Sequence, residues 1–343
     1  MVAAGLVLPA AALAEAPATN AAAYPAPPAA LPGHGLAQHD FIYTGEWDTR
    51  KTNATIFLVQ GGKVTWTYSI PTTDEHHNLS EFSDLHRLAN GDIVFAYKTG
   101  WRKIDASGRT LHDYQCPRAV GPDGKSYWTE CHSAQPVGND RVLYMLNGHP
   151  AKLCCYNLVT GELEMEHPVA TSRTTGSVHA QFRNVRQTRA GTYLIAHLDL
   201  GQVVEYDRDW KVRWRTTNAP SVWQAIRLPN GNTLVSGNQH AFLRELNPAG
   251  DIVWQVKNGD LPGIRINSVH GAQRLANGNT VFCNWTSGVK RADWPKIVQL
   301  IEVTPDKRVV WALNEWQQPD LGPASCIQLL DEPGRDEEQE LLR

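Results

Sequence analysis

The chain has 343 residues, 42% of them hydrophobic and 20% charged, the make-up of a soluble globular protein large enough for one large domain or two ordinary ones. A net charge of −3 gives no electrostatic basis for binding nucleic acid or an anionic membrane surface, and neither partner is expected. The 12 Trp and 13 His are the only compositional pointers to chemistry.

Residues 2–14 form a short apolar run that ends in small residues, like the h-region and cleavage site of a secretory signal. Residues 1–15 are therefore predicted to be signal-peptide-like, and the protein secreted or periplasmic. No basic n-region precedes the run, so the true start is expected further upstream. The run is too short to span a bilayer, and no integral membrane segment is expected in the mature chain. Residues 16–38 read as an Ala/Pro-rich linker without core residues. Residues 39–334 are predicted to be one domain, and 335–343 a charged tail.

Two internal repeats define that domain. Arg87-Leu-Ala-Asn-Gly91, Arg227-Leu-Pro-Asn-Gly231 and Arg274-Leu-Ala-Asn-Gly278 are near-identical, and each precedes a short β-rich run. Asn-Gly between such runs signals a hairpin, because both positions tolerate positive φ. A second repeat, a turn and a strand ending on an aromatic, occurs as Gly62-Lys-Val-Thr-Trp66, Gly250-Asp-Ile-Val-Trp254, Lys307-Arg-Val-Val-Trp311 and Lys211-Val-Arg-Trp214. Degenerate copies lie at Gly108-Arg-Thr-Leu-His112 and Gly161-Glu-Leu-Glu-Met165. Six copies at a spacing of roughly 40 to 55 residues match four-stranded propeller blades. The prediction is an all-β, six-bladed β-propeller of four-stranded antiparallel blades. Residues 324–330 supply a last inner strand that pairs with 41–70 and closes the ring.

In a blade, residues just before the inner strand and just after the second strand share one face. Histidines concentrate there: His76, His77, His132, His179 and His270 ahead of inner strands, with His149, His197 and His240 behind second strands. The same face should carry Ser83, Asp84, Cys131, Gln181, Arg183, Asn267, Asp199, Lys98, Trp101, Trp223, Gln224 and Trp285. His86, Arg186 and Gln273 should lie deeper. Packing gives no reason to gather imidazoles around an opening, whereas acid–base chemistry, anion binding and metal ligation do. His270, His179, His132, His86 and Arg183 are therefore candidate catalytic residues. Arg186, Lys98, Trp101, Trp223, Gln224, His240 and Trp285 are candidate substrate contacts, with the Trp, Trp47 included, as flat walls for sugar or aryl rings. A divalent metal is possible, with His149, His197 and His240 as its candidate ligands.

Of the six cysteines, Cys116 and Cys131 could close a disulfide across a surface loop, while Cys283 and Cys326 sit in apolar strands as buried thiols. Gly121-Pro-Asp-Gly-Lys-Ser126 is not a phosphate loop, because Ala119 stands where that loop needs Gly.

Ser268-Val-His-Gly-Ala-Gln-Arg-Leu-Ala-Asn-Gly-Asn-Thr280 and Asn247-Pro-Ala-Gly-Asp-Ile-Val-Trp254 resemble the repeats of bacterial arylsulfotransferase and PQQ-like propellers, a likeness covering most of 41–330. The resemblance implies the propeller fold. For arylsulfotransferases it also implies an axial histidine that carries the sulfuryl group, a place His270 would take, with His179 and Arg183 as helpers. PQQ itself is not expected. Three functions follow as expectations: a carbohydrate lyase or hydrolase acting on an anionic glycan or glycoside, sulfuryl transfer through His270, or a non-catalytic propeller that binds a small molecule or an oligosaccharide.

Overall fold

The computed structural model describes residues 24–332. It contains six four-stranded antiparallel sheets arranged as the blades of a propeller, and one two-stranded hairpin, Arg118–Val120 with Ser126–Trp128, inserted between the first two blades. The inner strands are Asp84–Arg87, Glu130–Val137, Phe182–Gln187, Val222–Arg227, Val269–Arg274 and Cys326–Leu329. The last of these pairs with Phe41–Thr44, in register Phe41 with Leu329 through Thr44 with Cys326, so the two ends of the domain share the sixth blade as the sequence predicts. The signal-like segment and the charged tail lie outside the described residues. Among the described residues no helix is long and apolar enough to cross a membrane.

Alternation along the strands builds the core. Successive side chains point to opposite faces of a sheet, so Phe41 and Tyr43 pack into the seam with the fifth blade while Ile42 packs into the seam with the first. Each of the other seams is likewise filled by its own apolar cluster. The repeated aromatics lock neighbours together. Trp214 Nε1 donates to Pro248 O at 3.0 Å, Trp254 Nε1 to Pro305 O at 2.8 Å and Trp311 Nε1 to Gly35 O at 2.9 Å.

The Asn-Gly turns differ in type from expectation. Only the glycines adopt positive φ (Gly91 88°, Gly231 84°, Gly278 86°), and Gly91 N bonds Leu88 O while Leu88 N bonds Asp92 O. That is a type I turn closed by a left-handed glycine, and the Asn side chain accepts from the amide two residues on, as in Asn90 Oδ1 from Asp92 N at 3.0 Å.

The linker also departs from its prediction in the described part. Tyr24 is buried against Trp294, Ile297 and Trp316, Leu31 and Leu36 pack on two blade seams, and Ala312 N bonds Pro32 O. The segment straps the fifth and sixth blades because its few large side chains find apolar seams to cover. All six cysteines are free thiols, with Cys116 and Cys131 sharing one buried cluster, so the expected surface disulfide is not formed.

Candidate functional site

A β-bulge interrupts four inner strands at the same place. The register shifts between Cys131 and Ala134, Phe182 and Val185, Val222 and Ala225, and Val269 and Ala272. Two residues then face one on the neighbouring strand, and the first of the two is re-aimed. Those first residues are His132, Arg183, Trp223 and His270. Ser83 holds the corresponding place before the short inner strand of the first blade, its amide bonded to Ala96 O. The four bulges and Ser83 therefore bring side chains of five blades into one cluster, beside a cavity of about 390 Å³ bordered by Glu46, Trp47, His179, Arg183, Trp223 and Trp285.

Glu130 is the hinge of the cluster. Its Oε2 lies 2.9 Å from His132 Nε2 and 2.8 Å from His179 Nδ1. His132 Nδ1 meets Ser83 Oγ at 3.1 Å, and Ser83 donates to Glu46 Oε2 at 3.0 Å. Lys98 Nζ donates to Glu81 Oε1 at 2.7 Å, and the other Glu81 oxygen lies 3.9 Å from His179 Nε2. Arg183 donates to the His179 and Phe182 carbonyls and, through Nη2, to His179 Nε2 at 3.1 Å. Its guanidinium lies 4.9 Å from the centre of the Trp223 ring. Three non-glycine residues around the cluster, Trp47 (64°), Lys98 (70°) and Ser221 (51°), hold positive φ, strain of the kind found where surrounding structure dictates backbone position.

The electrostatics divide the groups by role. Burial together with the charge of Glu81 pushes Glu46 up to about 8, so it carries a proton near neutrality. Burial works in the same direction on Glu81, but His179 and Lys98 outweigh it and hold that carboxyl below its usual range. Glu130 is likewise buried and still held low, by its two imidazole partners. Burial and the Arg183 charge push His132 down to about 3, leaving it neutral. Arg183 has no direct ion pair among the described residues; burial lowers its pKa against the opposing pull of Glu46, Glu81 and Glu130, and its Nε has no partner.

A raised carboxyl contributes stability below its unfolded value and loses it as pH rises through the folded one. Replacing Glu46 by Gln should therefore flatten the fall of stability between about pH 4.5 and about 8, read from melting temperature against pH.

Several predicted residues fall elsewhere. Trp101 is fully buried in the seam of the first two blades, against Tyr114, Tyr144 and Tyr156, and walls no cavity. Gln224 borders a narrow polar cleft below the cluster, where its Oε1 accepts from Ala272 N at 2.6 Å and latches the fourth blade to the fifth. His86 and Arg186 also lie in that cleft, both drawn to Asp84. His149, His197 and His240 do not meet: His149 bonds Gly176 O, His197 is buried against Phe182, and His240 is exposed on a loop. The expected metal triad is absent because second-strand ends of different blades diverge.

Among the described residues the one group with metal-like spacing is Glu81, His132 and His179, whose ligand atoms lie within 4.8 Å of one another. Lys98 and Arg183 already hold Glu81 and His179, so a dication would have to displace two cations. His270 is fully buried between Trp223 (3.6 Å, interplanar 7°) and Trp285 (4.7 Å), and neither ring nitrogen has a hydrogen-bond partner. Glu46 Oε1 lies 3.8 Å from its Nδ1. His179, with 30% of its side chain exposed, is the imidazole that reaches the cavity.

Three carboxylates escaped the sequence reading: Glu46, Glu81 and Glu130. Glu81 and Glu130 stand two residues before Ser83 and His132, in Glu81-Phe-Ser83 and Glu130-Cys-His132, so superposing the repeats would have exposed them. Glu46 lies in a loop with no repeat counterpart.

The fold and the converging inner strands define a six-bladed propeller with a polar cluster at the inner-strand bulges. A similar solved structure is a protein of unknown function from Bacteroides caccae, at 24% identity over 84% of this chain and 97% of that one, with a TM-score of 0.69. Virginiamycin B lyase from Staphylococcus aureus is similar at 9% identity over 82% and 85%, with a TM-score of 0.50. These likenesses show the fold. No family model matches the chain, and no curated protein matches it.

Proposed function

We propose that the bulge-lined cavity is an axial ligand pocket and that the protein is a carbohydrate lyase acting on a uronate-bearing glycan. The observation that carries the reading is Arg183, a buried guanidinium without an ion pair, bordering a cavity beside a Glu-paired histidine. A buried charge is unfavourable unless compensated; Glu46, Glu81 and Glu130 act on Arg183 only at a distance, and a substrate carboxylate would supply a direct partner with fork geometry.

With Glu130 accepting the Nδ1 proton of His179, Nε2 is the basic atom; it accepts from Arg183 Nη2 at 3.1 Å in the free protein, a bond released when Arg183 turns to the substrate carboxylate. With the uronate carboxylate on Arg183, His179 Nε2 removes the proton on the carbon next to that carboxylate. The electron pair forms the C4–C5 double bond as the C4–O bond breaks. Glu46, protonated near neutrality, supplies the proton that the departing oxygen takes up. Trp223 and Trp285 give the sugar ring apolar walls. Sulfuryl transfer through His270 has less support, because a nucleophile enclosed by two indoles has no path to a substrate.

The test is ultraviolet absorbance from the new double bond. Uronate-containing oligosaccharides, neutral oligosaccharides and aryl sulfates are offered to the purified chain. Absorbance should rise with the uronates alone. Cleavage of neutral chains without a double bond, or turnover of aryl sulfates only, would overturn the reading.

A further inference from the structure

The loop at residues 45–52, between the strands Phe41–Thr44 and Asn53–Gln60 of the sixth blade, supplies Glu46 and then Trp47. Both border the 390 Å³ cavity, but at different depths. Glu46 is 3% exposed, whereas Trp47, at 41%, is the most exposed Trp, Tyr or Phe among the described residues.

The three indoles at the cavity are not equivalent. Trp223 already carries His270 at 3.6 Å and the Arg183 guanidinium at 4.9 Å. Trp285 stacks on His270 at 4.7 Å and donates through Nε1 to Glu46 O at 3.3 Å. The Trp47 indole has no ring, cation or hydrogen-bond partner among the described residues.

A single exposed indole is ordinary in itself. The backbone that carries this one is not, because Trp47 holds φ at 64°, where a bulky side chain is strained and glycine is not. The loop enforces that conformation. At Gly45 a Cβ would collide with the Pro323 carbonyl, so the chain is pressed against residue 323. Asp48 accepts from Arg50 Nε and Nη2 at 2.7 Å each, and Arg50 Nη2 and Lys51 Nζ both reach Asp320. A braced loop thus holds an unpartnered indole at the cavity mouth in a position that glycine would occupy without strain.

Glu46 gives that position a chemical meaning. In the lyase step the C4–O bond breaks, and the oxygen takes the Glu46 proton and leaves as a hydroxyl of the neighbouring sugar. The departing ring therefore lies beside residue 46, and the next side chain, toward the mouth, is Trp47. A pyranose presents C–H bonds on one face, and an open indole is a flat apolar surface to match it.

We infer that Trp47 is the platform for the departing sugar, and that the leaving group is a glycosyl unit stacked at the mouth, not a small alkoxide. The inference rests on the lyase reading and deepens it by placing the second ring of the substrate.

The test compares two substrates that yield the same unsaturated uronate. A 4-O-glycosyl uronate releases a sugar, and the 4-O-methyl ether of the same uronate releases methanol. The ratio of their kcat/KM values is read from the absorbance of the new double bond in the wild type, Trp47→Phe and Trp47→Gly. The wild type should prefer the glycosyl substrate, and Trp47→Gly should reduce that preference about tenfold, equivalent to about 1.4 kcal/mol. Trp47→Phe, which keeps a ring, should retain most of it. The melting temperature of Trp47→Gly should stay close to that of the wild type, since glycine relaxes the positive φ. No preference in the wild type, or a preference unchanged in Trp47→Gly, would overturn the platform, while turnover itself left the lyase reading standing. No double bond from either substrate would overturn both.

Discussion

Replacing His179 by Ala should lower kcat on a uronate oligosaccharide by about 10² to 10⁴, the contribution of a positioned general base, with KM changed little. The reason is geometric. His179 is the imidazole of the cluster that borders the cavity, and Glu130 fixes which of its nitrogens holds the proton. Glu130→Gln is a sharper probe of the same idea. The amide keeps the shape of the carboxylate and cannot stabilise an imidazolium, so kcat should fall and the acid limb of the rate profile should move to lower pH. His270→Ala offers the contrast: it should loosen the stack of Trp223 and Trp285 and lower the melting temperature, because His270 is buried there as a neutral ring. Loss of turnover in His270→Ala alone, with His179→Ala fully active, would reverse the roles assigned to the two histidines.

The largest effect on stability should come from Arg186→Met. Asp84 is a fully buried carboxylate that bridges three blades. It accepts from Arg186 Nη2 at 2.7 Å and Nη1 at 2.9 Å, from Ser133 Oγ at 3.0 Å and from Ala134 N at 3.0 Å. Burial opposes the charge, but Arg186 and His86 hold the carboxyl well below its usual range. Removing Arg186 strands that charge and should cost about 3 to 5 kcal/mol, readable by denaturant titration. Removing both partners, as Asp84→Leu with Arg186→Met, should cost much less than the two single changes together. The sign with pH follows. A lowered carboxyl contributes stability above its unfolded value, near 3.8, which is lost as pH falls through the folded one, so the double variant should lose less stability in acid.

The architecture was legible because its signals are local and repeated. The Leu-x-Asn-Gly turns and the Trp-ended outer strands each recur at fixed places in the blade, and the orphan strand at 324–330 had one place to go. The site was legible in part. His132, His179, Arg183, Lys98, Trp223 and Trp285 were singled out and do meet, since repeat position alone sends them to one end of the inner strands. The β-bulges that aim them carry no sequence signature beyond Gly271, where a Cβ would stand 2.8 Å from Ser325 O. Trp101 shows the limit of counting along a strand. It lies one residue past Gly100, whose missing side chain admits Tyr114 O, and the strand turns the indole into the blade seam instead of toward the opening. The carboxylates were passed over because Glu, taken singly, belongs on a surface. Glu46, Glu81 and Glu130 are buried or nearly so because cations and imidazoles gather around them, an arrangement that only the closed ring creates.

The claim on which the functional reading depends is that Arg183 awaits an anion. Calorimetry with a simple uronate and its neutral aldose tests it most directly, on the wild-type chain and on Arg183→Gln, with the melting profile confirming that the variant is folded. The wild type should bind the uronate and not the aldose, and Arg183→Gln should bind neither. Equal binding of the two sugars, or uronate binding that survives in Arg183→Gln, would contradict the role of Arg183 as carboxylate receptor and the lyase chemistry built on it.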